Sequence, residues 1–206
     1  MSARALPQIT PEQYLALDRA AEIRSEYYDG VMYAMSGGSH PHSYITTNLA
    51  SELRTALKGS PCGASATDLR VKIPGRTYVY PDVVVVCGEP KYLDGEIDTL
   101  LNPSLVIEVL SPSTERHDRG LKSARYRTIE SLKEYALVSQ TEPRVEIYRK
   151  QASGDWLLSE SVGLDATCRF EGLKEEPVRI PLAEIYERVQ FEAESEVTSP
   201  SEQITP

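Results

Sequence analysis

Two carboxylates stand where an apolar strand normally carries none: Glu108 within SLVIEVLSPST and Asp82 at the head of YPDVVVVC. A lone ionised carboxylate in a dry interior is so costly that it is paired, protonated or bound to a metal. The two together ask for a cation. Lys122, in the helical-looking segment HDRGLKSARYRTIESL, could complete a hydrolytic site with them. A hard divalent ion such as Mg²⁺ takes one or two carboxylates and fills its octahedron with waters and phosphate oxygens, so Asp82 and Glu108 supply the minimum. Alternation along SLVIEVLS puts Ser104, Val106, Glu108 and Leu110 on one face, and the carbonyl of Val109 is available as a further ligand. Such an ion acidifies a coordinated water and offsets charge on a phosphate. Lys122 would hold that water or help deprotonate it, and Arg116, Arg119 and Arg125 suit phosphate oxygens. The chemistry this set permits is phosphodiester hydrolysis.

Positioning these groups requires particular elements. Thr10-Pro11-Glu12 reads as an N-cap with proline at the first helical position, opening a short helix through PEQYLALDRA that looks like a minor docking element. Asp29-Gly30 between RSEYY and VMYAMS predicts a hairpin. SGGSHPH breaks regularity, and SYITTNLASELRTALKG then places Ile45, Leu49, Leu53 and Leu57 on one helical face, ending at Gly59. ASATDLRVKI and TYVYPDVVVVCG read as two strands joined at Pro74-Gly75. The second of them and SLVIEVLS are nearly continuous apolar runs, as in central strands covered on both faces. Asp118 is placed to cap the helix carrying Lys122 and Tyr126, which leads into the strand EYALVSQ. RVEIYRK and DWLLSE predict a further hairpin, and IPLAEIYERV a last short helix. EAESEVTSPSEQITP lacks core-forming periodicity, so the expected organisation is one domain over 1–190 and an acidic disordered tail over 191–206.

With 206 residues, 40% hydrophobic and 26% charged, the chain suits one soluble domain with a substantial core. No apolar stretch is long enough to span a bilayer, and MSARALPQITPEQ resembles neither a signal nor a transit peptide, so the expectation is the cytoplasm and no membrane partner. The formal charge of −9 opposes non-specific nucleic-acid binding, yet it is uneven: residues 171–206 carry nine acidic and three basic residues, whereas Arg116, Arg119, Lys122, Arg125 and Arg127 face only Asp118 in their window. Cys62, Cys87 and Cys168 are odd in number and widely spaced, which suggests reduced, buried thiols.

Plainer readings compete. Asp82 can cap a strand after Pro81, Glu108 can sit in a buried salt bridge with Lys122 or Arg125, the basic run can be a solvated helix face, and Tyr126 can be half-buried packing. His40 and His42 form an HxH pair, but no third zinc ligand follows. Ser36, Ser39 and Ser113 lack a GxSxG setting. A non-catalytic nucleic-acid-binding or assembly module and a phosphohydrolase of mononucleotides are the rival functions.

YPDVVVV, VIEVLSPST and HDRGLKSARYR, preceded by EYYDGVM and a helix after His42, together resemble the Uma-two family of bacterial restriction endonucleases, over roughly residues 10–188. The resemblance implies a PD-(D/E)XK nuclease fold, an α/β (mixed α+β) architecture with a mixed central sheet flanked by helices and an N-terminal β-hairpin. It also implies a Mg²⁺ or Mn²⁺ requirement, DNA as substrate and a homodimer. By it, Pro81-Asp82 is the PD element and Glu108 the second acidic position. Leu110 stands where the lysine two residues later would be, and the resemblance implies that this lysine has moved onto the next helix, as Lys122. Glu26 and His42 match accessory positions of the hairpin and of the helix start.

Overall fold

In the computed structural model, which describes residues 8–191, helix α1 (Pro11–Ala20) opens with the cap its residue types suggest. The Thr10 hydroxyl accepts from the Gln13 N–H at 3.2 Å, and the Gln13 side chain accepts from the Thr10 N–H at 2.8 Å, so two otherwise orphaned donors are satisfied reciprocally. Strands β1 (Ser25–Tyr28) and β2 (Val31–Ala34) form the expected hairpin. Asp29 and Gly30 both take positive φ, 49° and 105°, the turn geometry that matches strand twist. Helix α2 (His40–Ala56) begins at His40 and not, as expected, beyond SGGSHPH. The Ser39 hydroxyl accepts from the His42 N–H and Pro41 sits in the first turn, so these residues start a helix where they look like a loop.

Each of the two strands expected around Pro74-Gly75 is broken in two: β3 (Cys62–Ala66) and β4 (Arg70–Ile73), then β5 (Thr77–Val79) and β6 (Val83–Cys87). The first break lies at Thr67 and Asp68, both in the left-handed region at φ 51° and 57°. The second lies at Pro81, which has no N–H to give a ladder. The halves then join different sheets. β3 and β6 enter a six-stranded mixed sheet with β8 (Leu105–Leu110), β9 (Glu134–Ser139), β10 (Arg144–Lys150) and β11 (Trp156–Val162), in the order β11-β10-β9-β8-β6-β3. In it β8 and β9 run parallel and the other neighbours antiparallel. β4 and β5 join the hairpin and β7 (Thr99–Leu100) in a second sheet, β2-β1-β5-β4-β7. The crossover from β8 to β9 is helical throughout its first part: α3 (Glu115–His117), a wide π-helical turn (Asp118–Lys122) and α4 (Ser123–Tyr126). A small pair, β12 (Thr167–Phe170) with β13 (Val178–Pro181), and helix α5 (Leu182–Ile185) complete the described chain.

The middle strands of the central sheet, β8, β9 and most of β6, are buried on both faces, which explains their apolar runs. On one face Val83, Val85, Leu105, Ile107 and Val109 meet Ile45, Leu49 and Leu53 of α2, each such side chain contributing about 1.5–3 kcal/mol on burial. On the other, Val84, Val106, Leu110 and Leu137 meet Tyr126, Ile129 and Leu132 and the second sheet's Val71, Ile73 and Val79. Glu108 belongs to this second face, between Val106 and Leu110. Helix α1 is more than a docking element, because its Asp18, fully buried, pairs with the Arg70 guanidinium at 2.7 Å and accepts from the Tyr80 hydroxyl. That network fixes the backbone leading into Pro81-Asp82.

The expectation of three reduced thiols is corrected. Cys62 and Cys87 are register partners on β3 and β6 and form a disulfide, a juxtaposition hidden by a separation of 25 residues. Cys168 is free and buried, and burial pushes its thiol up to about 12. No helix among the described residues is long and apolar enough to cross a membrane. The expected acidic tail over 191–206 lies outside the described residues except for Phe191.

Candidate active site

Antiparallel pairing of Val83 with Ile107 and Val84 with Val106 places Asp82, one step further along the same register, opposite Glu108. Asp82 is anchored there because its Oδ2 accepts from the Val109 N–H at 2.7 Å. Its Oδ1 lies 3.2 Å from His42 Nε2, on the first turn of α2. The close approach of His42 depends on Gly38, where a Cβ would stand 2.8 Å from His42 Nδ1. The hydrogen bond to Asp82 raises the imidazole pKa, against the opposing effect of burial.

Lys122 stands over Glu108 from the wide turn of the crossover. Its Nζ is 2.9 Å from Glu108 Oε1, 2.9 Å from Glu26 Oε1 on β1 and 3.7 Å from Asp118 Oδ1, with only 6% of the side chain exposed. The turn is wide because the Ser123 N–H bonds the Asp118 carbonyl, five residues back, and the Tyr135 hydroxyl donates to that carbonyl at 3.1 Å. Glu108 Oε1 also accepts from the Tyr126 hydroxyl at 2.9 Å, and Glu26 Oε2 from the Tyr28 hydroxyl at 2.8 Å. Tyr28 and Tyr135 were not foreseen, and two further partners have other roles than the sequence suggests. Asp118 is no N-cap but a buried neighbour of Lys122, a relation its i,i+4 spacing could have signalled. Tyr126 is fully buried and bonded to the key carboxylate, not half-buried packing.

The charges do not balance. Glu26, Asp82, Glu108 and Asp118 face one ammonium, Lys122, and two imidazoles, His42 and His117. Burial pushes Glu108 well above the usual carboxylate range; Lys122 opposes the shift, and the charges of Asp82, Asp118 and Glu26 reinforce it. Burial likewise raises Asp118. Burial alone would lower Lys122, but Glu108, Glu26, Tyr28 and Asp118 overcome it and hold the amine well above its ordinary value. Contacts of 2.9 Å to Glu108 and to Glu26 favour the ammonium form of Lys122. In that form it is suited to holding an anion or a water, the first of the two roles expected from sequence.

Among the described residues no three His, Cys, Asp or Glu side chains form a ready-made metal cage. Zinc, which wants such a set, does not fit; His40 packs edge-on against Tyr44 instead of joining His42. Asp82 and Glu108, with excess negative charge around them, do fit a hard divalent ion that keeps several waters. Both carboxylates, with Glu26, Val109, Asp118, Lys122 and His42, line an open cleft of about 1250 Å³. None of the three arginines expected to meet phosphate lines it. Arg119 is held by Glu115 at 2.7 Å and by Glu146, and Arg125 by Asp29 and Thr77 while lying over the Tyr28 ring. Arg116 is exposed on α3 and lines a separate depression with Arg119 and Gly120.

Comparison with known proteins gives four matches. Residues 11–175 match the model of the Uma2 family, described as "Putative restriction endonuclease". The protein slr1290 of Synechocystis sp. (strain ATCC 27184 / PCC 6803 / Kazusa) is 39% identical over 153 residues, covering 74% of this chain and 80% of that protein. The protein sll1609 of the same organism is 36% identical over 167 residues, covering 81% and 94%. A crystal structure of a "putative nuclease belonging to DUF820" from Anabaena variabilis ATCC 29413 superposes with a TM-score of 0.70 at 20% identity, over 86% of this chain and 97% of that one. That structure shares the fold.

Proposed function

The chain belongs to the Uma2 family of putative restriction endonucleases, and from that premise we propose that it is a divalent-metal-dependent endonuclease that hydrolyses phosphodiester bonds of DNA. Asp82 and Glu108 are the residues that would hold Mg²⁺ or Mn²⁺. The ion, when bound, supplies charge neutralisation at the phosphate and a more acidic water. The chain's own groups do the positioning. The Val109 N–H and His42 orient Asp82; Tyr126 and Lys122 orient Glu108; and the Lys122 ammonium, steadied by Glu26 and Asp118, offers a hydrogen bond and a positive charge to the nucleophile or to a non-bridging phosphate oxygen. The proposal extends to a nuclease domain over 1–190 with an acidic tail, and to a cytoplasmic homodimer. The arginines have a smaller part than their sequence suggests, with Arg116 the one available for a peripheral phosphate.

The observation that carries this reading is the surplus of carboxylate over cation at the foot of an open cleft, in the chain order Asp82, Glu108, Lys122. A surplus of that kind is costly unless a further cation completes it. The test is to incubate the purified protein with Mg²⁺ or Mn²⁺ and linear, supercoiled and single-stranded DNA, beside the Asp82→Ala and Glu108→Ala proteins. Cleavage by the wild type and not by either variant supports the reading. Cleavage that persists in both variants assigns the activity to another site or a contaminant. Absence of cleavage together with absence of calorimetric Mg²⁺ or Mn²⁺ binding leaves a non-catalytic module.

A further inference from the structure

The walls of the cleft are unlike a duplex-binding surface. Among the described residues it contains no arginine and a single lysine, Lys122, already engaged by three carboxylates. Duplex DNA carries one charge per ~1.7 Å of axis, and proteins that grip it neutralise several phosphates with lysine and arginine. The cleft instead presents hydroxyls and amides, among them Ser43, Thr47, Ser113 and Gln190. The Thr46 hydroxyl, also in its lining, is buried and has no protein partner.

At the rim stands Tyr33, 55% exposed, and beside it Met35, 38% exposed. They are the two large exposed apolar side chains of the described residues that line the cleft. Tyr33 is the cross-strand partner of Glu26, which contacts Lys122, so the ring flanks the site directly. It is also held in place: its ring meets Tyr28 edge-on at 5.8 Å, and Tyr28 meets His117 edge-on at 5.2 Å. A fixed, solvent-facing ring beside the proposed phosphodiester site offers a face on which an unpaired base can stack, and the scarcity of cations in the walls leaves stacking a larger share of the grip than in single-strand grooves lined with lysine and arginine.

We propose that the substrate strand enters this cleft unpaired, with a base adjoining the reacting phosphate stacked on Tyr33. The inference rests on the nuclease reading and narrows it to single-stranded nucleic acid or a frayed end. Affinity then comes mainly from stacking and neutral hydrogen bonds, so it depends weakly on salt. Each neutralised phosphate adds about 0.7 to the magnitude of the log–log salt slope for a single strand, which puts the expected slope near 1.

The test measures fluorescence anisotropy of labelled oligonucleotides with the full chain in Ca²⁺, using single-stranded DNA, the same sequence as single-stranded RNA, and the blunt DNA duplex. Single strands should bind more tightly than the duplex, and the DNA and RNA arms decide which sugar is preferred. Tyr33→Ala should weaken single-strand binding about five- to hundredfold, whereas Tyr33→Phe, which keeps the ring, should bind like the wild type. Circular dichroism of both variants guards against a folding defect, and Tyr33→Leu provides a second ring-less variant if Tyr33→Ala is misfolded. Duplex binding equal to or tighter than single-strand binding, a slope magnitude of about 4 or more, or ring-less variants that bind single strands normally would each overturn the inference. If the wild type binds no nucleic acid of any kind, the nuclease reading itself fails.

Discussion

Replacing Glu108 by glutamine should stabilise the metal-free protein, and replacing Lys122 by methionine should destabilise it strongly. Glu108 and Lys122 are 2.9 Å apart and nearly inaccessible, so an ordinary salt-bridge view predicts a loss from both changes. The surroundings argue otherwise. At an effective dielectric constant near 20, one contact of that length is worth about 6 kcal/mol of attraction. It is opposed by the desolvation of Glu108 and by the charges of Asp82, Asp118 and Glu26, and the net effect is to disfavour the ionised carboxyl. Glutamine keeps an oxygen for the Tyr126 hydroxyl, and Lys122 keeps Glu26 at 2.9 Å and Asp118 at 3.7 Å. Removing one partner of a buried pair normally costs about 3–5 kcal/mol because the other charge is orphaned, but here Lys122 keeps two carboxylates, so the case approaches that of a whole buried pair replaced by uncharged groups, with a gain of roughly 1–2 kcal/mol. For a domain of this size that is a rise of about 2–8 °C in Tm. Removing Lys122 leaves three carboxylates without their ammonium and should cost about 3–5 kcal/mol. Urea and thermal unfolding in EDTA measure both. Added Mg²⁺ should then reverse the order: at a hundred times its Kd it stabilises the wild type by about 2.7 kcal/mol and Glu108→Gln far less. A Glu108→Gln protein clearly less stable than wild type in EDTA, with Lys122→Met close to neutral, would refute the surplus-charge account.

Gly38→Ala should push the His42 ring away from Asp82, because the new Cβ would meet Nδ1 at 2.8 Å; NMR titration should show the His42 pKa falling from its raised value toward the ordinary ~6.5. Hydrogen bonds from Arg19 hold the Asp98 carboxyl below its usual range. A depressed folded-state pKa contributes stability above the unfolded value of ~3.9 that is lost as pH falls through the folded one. Asp98→Asn should therefore be less stable than wild type at neutral pH, the gap closing in acid unfolding series. Leu49→Ala, at a fully buried position of α2 against the central sheet, should cost about 2–5 kcal/mol in urea unfolding, with metal affinity per folded molecule unchanged.

What the sequence reveals of the site depends on contrast with its surroundings. Asp82 and Glu108 are visible because a carboxylate inside an apolar run has few explanations, and the strand pairing that joins them follows from both runs being central. Asp118 and Tyr126 are masked, since a carboxylate at a helix start and a tyrosine within a helix have common alternatives. The arginines mislead because their partners are remote: Asp29 for Arg125 and Glu146 for Arg119 come together only through the fold. Likewise, nothing local in ASATDLRVKI announces that Thr67 and Asp68 turn the chain from one sheet to the other. Strands β12 and β13 are short, and they meet across a connection that carries no hairpin signal.

The wide turn at Asp118–Lys122 makes the aim of the ammonium a matter of residue count. Each residue of an ordinary α-helix advances the face by about 100°, so excising Gly120 and closing the bulge would swing Lys122 relative to everything before it while leaving the composition of the segment almost intact. Insertions and deletions between Ser111 and Lys122 should thus be tolerated far less than point changes at the exposed positions Leu121 and Ala124. A lineage that drifted here would find side-chain identity cheap and spacing dear.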